Sequence, residues 1–190
     1  MGGTPSGEAS RFIFIFTRDL GLVGAHAQNT RHVSSKLRYA LDAPARSTVS
    51  LVRGKSMWRL VSAVPETRFV TFFDDEPEKL ALVVRIFSLL KKLLPGEEAD
   101  PRLFDLIDSF FEFLKTVSCG QGGAGDVEIK DAEAVLVLRI LHRLGYIPDT
   151  DLARQFAHDT GWTVELVAAM SSRRKEAVSV INESLKATDL

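Results

Sequence analysis

Three cations, Arg53, Lys55 and Arg59, surround the turn of the stretch STVSLVRGKSMWRL (residues 47–60), and Trp58 stands among them. A little upstream, Lys36, Arg38 and Tyr39 lie close together with no carboxylate before Asp42, and Arg18 and Arg31 add further positive charge. Guanidinium and ammonium groups neutralise phosphates. Flat rings stack on bases, each stack contributing roughly 1 to 3 kcal/mol whatever the base. These residue types interleaved point to a polyanion, and to single strands in particular. Each also has a duller use. Arg18 can pair with its neighbour Asp19, and Trp58 fits better as a half-core residue sealing a sheet than as a stacking platform.

The charge distribution agrees with a polyanion-binding half. Residues 11–68 carry ten bases and three acids, a net of +7, whereas residues 69–190 carry fourteen bases and twenty-one acids, a net of −7. Such asymmetry hides behind an overall charge of −1 and marks a basic module joined to an acidic one.

Other chemistries find little support. The Gly-rich stretch SCGQGGAGD (118–126) lacks the Gly-Lys-Ser/Thr that must open a helix in a phosphate loop, and Gly54-Lys55-Ser56 has Val49 where the first glycine would stand. His26, His32, His142 and His158 are spread along the chain without metal-ligand spacing, so solvated or core histidines are expected and no metal or other cofactor. No nucleophile elbow is present, and a non-enzymatic protein is expected. One cysteine, Cys119, permits no internal disulfide and suits a reducing, cytoplasmic setting. The longest apolar run, Phe12 to Phe16, falls far short of the roughly 20 residues that cross a bilayer, so no membrane partner is expected.

The elements that must hold the cations follow from periodicity. MGGTPSGEAS (1–10) reads as a disordered leader. RFIFIFT (11–17) has the unbroken apolar pattern of a strand buried on both faces, and a turn at Arg18 to Gly21 leads into a second strand. There Val23, Ala25 and Ala27 share one side and His26 and Gln28 the other. The hairpin 47–63 follows, with Gly54 available for a positive φ. Short strands at this spacing predict a small closed barrel over 11–73, which would carry the binding alone.

Beyond Phe73 the period becomes helical. Pro77 fits an N1 position, and Asp100-Pro101 opens a helix whose apolar stripe is Leu103, Leu106, Ile107, Phe110, Phe111 and Leu114. Asp131 is placed as the cap of a third helix, and two last helices are expected to separate or kink at Ser171-Ser172. The fold class is therefore α+β, a β-barrel followed by an α-helical bundle over 74–190.

FTRDLGLVGAHAQNTRHVSSKLRYAL, STVSLVRGKSMWRLVSA and LRILHRLGYIPD, taken in that order, resemble the RecO family of bacterial recombinational repair proteins. The resemblance covers most of residues 11–150. It implies an OB-fold barrel at the N terminus, binding of single- and double-stranded DNA, annealing of complementary strands, and work with RecR to replace single-strand-binding protein by RecA. On that reading Lys36, Arg38, Tyr39, Arg53, Lys55, Arg59, Arg31 and Arg18 contact DNA. Arg139, His142 and Arg143 would form the positive rim of a pocket for the acidic tail of single-strand-binding protein. Many relatives carry a four-cysteine zinc site after the Leu-Gly-Tyr helix end, but here Pro148-Asp149-Thr150-Asp151 follows. The rival readings are an OB-fold adaptor that binds RNA or another polyanion, and a hydrolase.

Overall fold

The computed structural model describes residues 4–5, 11–28, 41, 44–119, 126–158 and 161–187. Two compact units divide the chain, Met1–Pro101 and Arg102–Leu190. The division falls after the first long helix.

In the first unit five strands, β1 (Thr4–Pro5), β2 (Arg11–Thr17), β3 (Gly21–Ala27), β4 (Ala45–Arg53) and β5 (Trp58–Arg68), form one sheet in the order β1-β2-β3-β5-β4. Only the β3–β5 pairing is parallel, with Ala25, His26 and Ala27 opposite Trp58, Arg59 and Leu60. Thr4 and Pro5, expected within a disordered leader, pair with Phe12 and Arg11. Among the described residues no ladder joins β4 to β1 or β2, so the sheet is open and the expected barrel closure is not formed by them. A closed barrel would need β4 to find a partner along its outer edge, and among the described residues the only ladder on β4 is the one to β5.

One sheet face gathers the small core of Ile13, Ala25, Ala27, Leu60 and Ala63, with Ile15, Leu41, Val49, Leu51 and Trp58 packed against it. The two-residue period therefore holds in β3, where Val23, Ala25 and Ala27 are fully buried. In β2 it corrects the expectation of a strand buried on both faces: Ile13 is buried, but its neighbours Phe12 and Phe14 stay half-buried on the opposite side. A register shift between Ser50 and Leu51 bulges β5 near Val61, which lets Leu60 and Ala63 both face the core.

The glycine signals act at other places than expected. Gly21 takes φ +71°, and a Cβ there would sit 2.1 Å from the carbonyl oxygen of Glu98. Its neighbour Leu22 donates its N–H to Gly96 O at 3.1 Å, so the segment after the long helix lies directly on the start of β3. Gly54 is not in the left-handed region. Its side-chain-free Cα is needed because a Cβ would meet Met57 O at 2.8 Å, across the turn closed by the bond from Gly54 N–H to that same oxygen.

After β5 a single helical turn, α1 (Phe69–Phe72), buries Phe69 and stacks it 6.1 Å from Phe73. Helix α2 (Pro77–Leu93) starts with its proline in the first turn, as expected, and buries Leu82, Val83, Ile86, Leu90 and Leu93.

The second unit is helical: α3 (Pro101–Thr116), α4 (Ile129–Arg143), α5 (Asp151–Phe156) and α6 (Val164–Ala187). Helix α3 buries the six residues of its predicted stripe. Helix α4 is buried on every side from Ala134 to Leu141 and packs against α5 and α6. It begins at Ile129 with Glu128 at the N-cap, so Asp131 lies within the first turn, buried, and is not the cap. There Arg174 reaches its Oδ1 at 3.2 Å. Helix α6 runs unbroken through Ser171-Ser172. The Ser172 hydroxyl donates to Ala169 O at 3.0 Å, a local bond that lets serine remain inside a helix.

Candidate nucleic-acid interface

The outer sheet face of the first unit is where positive charge and rings meet. Strand parity puts Phe12, Phe14 and His26 on the side away from the core, and the parallel register sets Arg59 beside His26. The His26 ring meets the Phe12 ring edge-on at 5.3 Å, and Phe12 meets Phe14 at 5.2 Å. Gly24 makes room for this row, since a Cβ there would lie 2.5 Å from the Phe12 ring. At one end Lys91 of α2 rests 4.2 Å over Phe14. At the other, His26, Gln28, Lys55, Ser56, Met57 and Arg59 line a cleft of about 340 Å3. Lys55 and Arg59 are exposed, and among the described residues neither has an ion-pair partner.

The cations around the hairpin turn therefore do not act together. Arg53 sits opposite Trp58 on the other sheet face, its guanidinium 5.0 Å over the indole ring, and it is paired to Glu97. The nearby indole N–H favours the charged form of Glu97 although it reaches no acceptor at hydrogen-bond geometry. Together with Arg53 it holds that carboxyl below the usual value. Arg53 thus has its charge matched within the unit, which takes it out of the cluster formed by Lys55 and Arg59. Trp58 is half-buried against the core, the duller of the two uses expected for it.

Arg18 is exposed in the β2–β3 turn, at the far end of the hairpin from His26 and so roughly 20 Å along the strands. Arg46 is bridged to Glu66 at 3.2 Å. The expected contacts Arg31, Lys36, Arg38 and Tyr39 lie outside the described residues.

In the second unit the three residues expected to rim a partner pocket part company. Arg139 is only 2% exposed; its Nε donates to Phe156 O at 2.7 Å and its Nη1 to Gly161 O at 3.0 Å, while the guanidinium lies 4.3 Å over Trp162. A side chain spent on two carbonyls and a ring inside the unit cannot edge a surface pocket, so Arg139 is structural. Arg143 is exposed and His142 half-exposed. His142 instead faces His158, 5.4 Å between ring centres, and His158 Nε2 lies 2.9 Å from Asp149 Oδ1. These three are the described residues that could hold a metal ion together.

Periodicity alone could have found His26 on the outer face, because His26 and Gln28 alternate with Val23, Ala25 and Ala27. Lys91 and Glu97 could not be found that way, since they reach the sheet from a distant segment.

Comparison with known proteins bears on both units. Residues 75–152 match the family described as Recombination protein O C terminal. Curated relatives named DNA repair protein RecO match as well, two of them over stretches long enough to reach into the first unit. The protein of Gluconacetobacter diazotrophicus is 29% identical over 181 residues, covering 94% of this chain and 66% of the relative. The chain is similar to RecO proteins along most of its length. The family member of Dehalococcoides mccartyi is 33% identical over 114 residues, 58% of this chain and 44% of its own length. That of Heliobacterium modesticaldum is 27% identical over 160 residues, 84% of this chain and 53% of its own. The chain thus spans about half the length of these two RecO relatives.

Proposed function

We propose that the chain acts in DNA repair and recombination by binding nucleic acid on the outer sheet face of its first unit. The observation that carries this is the row Lys91, Phe14, Phe12, His26, Arg59 and Lys55, in which cations flank rings on one surface. Cations meet phosphates while rings offer stacking faces that tolerate any base, the combination that suits single strands. The strand order β1-β2-β3-β5-β4, parallel only between β3 and β5, supports an OB fold whose sheet face carries the ligand. The relatives' name, DNA repair protein RecO, supports the choice of DNA over another polyanion.

The mechanism is charge neutralisation. Bringing two strands together costs phosphate repulsion, and a cationic surface lowers that cost while bases remain free to pair. Annealing of complementary strands, and help from RecR in replacing single-strand-binding protein by RecA, extend the same reading. Catalysis is not needed for any of these steps.

Fluorescence anisotropy with labelled single-stranded DNA, duplex DNA and RNA of equal length tests the reading, paired with an annealing assay at low salt. Binding to DNA with accelerated annealing is expected. Binding confined to RNA would favour the adaptor reading, and no binding to any of the three would end the proposal.

A further inference from the structure

We infer that His142, Asp149 and His158 form a site for one divalent transition-metal ion of the zinc class. They come from three places: the last turn of α4, the loop after it, and the turn that follows α5. Their ligating atoms nevertheless all lie within 4.8 Å of one another.

A simple ion pair explains only part of this arrangement. His158 and Asp149 suffice for one, at 2.9 Å. The His142 ring, tilted 51° to the His158 ring, makes no stack with it, and two protonated imidazoles so close would repel. As neutral ligands the two rings work together, since each offers a nitrogen lone pair to one cation. Two imidazoles and one carboxylate suit zinc, cobalt, nickel or copper rather than magnesium or calcium, which prefer oxygen. Three protein ligands leave a fourth tetrahedral position for water.

The backbone that carries the ligands is well fixed. Gly145 takes φ +81° to turn the chain out of α4, Gly145 N–H donates to His142 O at 3.1 Å, and Tyr146 N–H donates to Leu141 O at 2.9 Å. Thr150 caps α5 by accepting from Ala153 N–H at 3.2 Å, and Ile147, Leu152 and Phe156 anchor the loop and α5 in the core. Only side-chain rotation remains. Zinc with donors at about 2.0 to 2.2 Å sets its tetrahedral ligands roughly 3.4 Å apart. Exposed Asp149 and His158 can close that difference. Arg154, 3.8 Å from Asp149 Oδ2 and held at 2.6 Å by Asp151, competes for the carboxylate as a fixed cation.

The test uses the full chain, stripped with chelator, in a Cys119→Ser background so that the thiol contributes nothing. Isothermal titration with Zn2+ alone should give one site per chain, and Co2+ alone should develop the visible bands of a tetrahedral ion. His158→Ala, at an exposed position, should weaken Zn2+ binding about tenfold or more, and His142→Ala the same with its circular dichroism unchanged. His26→Ala, in the other unit, should leave it intact. Arg154→Ala should tighten binding. The inference is overturned by a wild-type chain that takes up no stoichiometric Zn2+, or by stoichiometric binding that His158→Ala leaves untouched.

Discussion

Arg53 and Arg59 stand six residues apart in one hairpin, yet the structure gives them opposite roles, and a salt titration separates them. For single-stranded DNA each phosphate met by a cation contributes roughly −0.7 to the slope of log affinity against log salt. Arg59 and Lys55 line the cleft beside His26 and have no ion-pair partner among the described residues. Replacing both by alanine should therefore make the slope shallower by roughly 1.4, two contacts' worth. Arg53 lies on the other face, over Trp58 and paired to Glu97, so Arg53→Ala should leave the slope unchanged and act on stability instead. The assay is anisotropy of a labelled oligonucleotide across a series of salt concentrations, with urea melts run alongside to record the folding cost of each variant. An Arg53→Ala slope as shallow as that of Arg59→Ala, or an unaltered slope in the double variant, would refute the assignment of faces.

Gly21→Ala should cost more than about 2 kcal/mol in a urea melt, because a left-handed φ already costs roughly 1 to 2 kcal/mol for an L residue and its Cβ would also strike Glu98 O. Arg139→Met should destabilise by about 3 kcal/mol, since the carbonyls of Phe156 and Gly161 lose their donors inside the helical unit. Loss of that size should appear without any change in DNA affinity. Burial pushes the Asp131 carboxyl up, against the opposing pull of Arg174. Its contribution is fully present below its unfolded pKa and is lost as pH rises through the folded one, so Asp131→Asn should flatten the fall in stability over that interval. The His158 ring holds the Asp149 carboxyl down. An NMR titration of metal-free His158→Ala should find Asp149 moved back up toward an ordinary carboxylate.

Local patterns carried much of the fold, and they failed where a distant segment decides the outcome. The α3 stripe was legible because one helix face is a matter of spacing alone, and β3 because its alternation is clean. Strand β2 was misread since Phe12 and Phe14 look like core residues, and only the ladder to Gly24 and His26 shows them facing outward. Asp131 resembled a cap because acid before an apolar run commonly is one, but Arg174, 43 positions later, lets it be buried. His142 and His158 are separated by a loop and a helix, so no ligand spacing joins them in the sequence. Among the cations, composition gave the sign of the surface and could not give the face. That depends on register and on Glu97.

The contact between Gly21 and the backbone of Glu98 has a reach beyond its own turn. With Leu22 bonded to Gly96 O and Arg53 bridged to Glu97, residues 96–98 strap the far end of α2 to two separate strands of the sheet, β3 and β4. Sheet and helix should then open as a single cooperative piece, the Leu22 amide exchanging with solvent no faster than the amides in the middle of α2. A fragment cut after Arg68 would lack both helix and strap, so the shortest piece expected to keep the cationic row in register ends near Pro101.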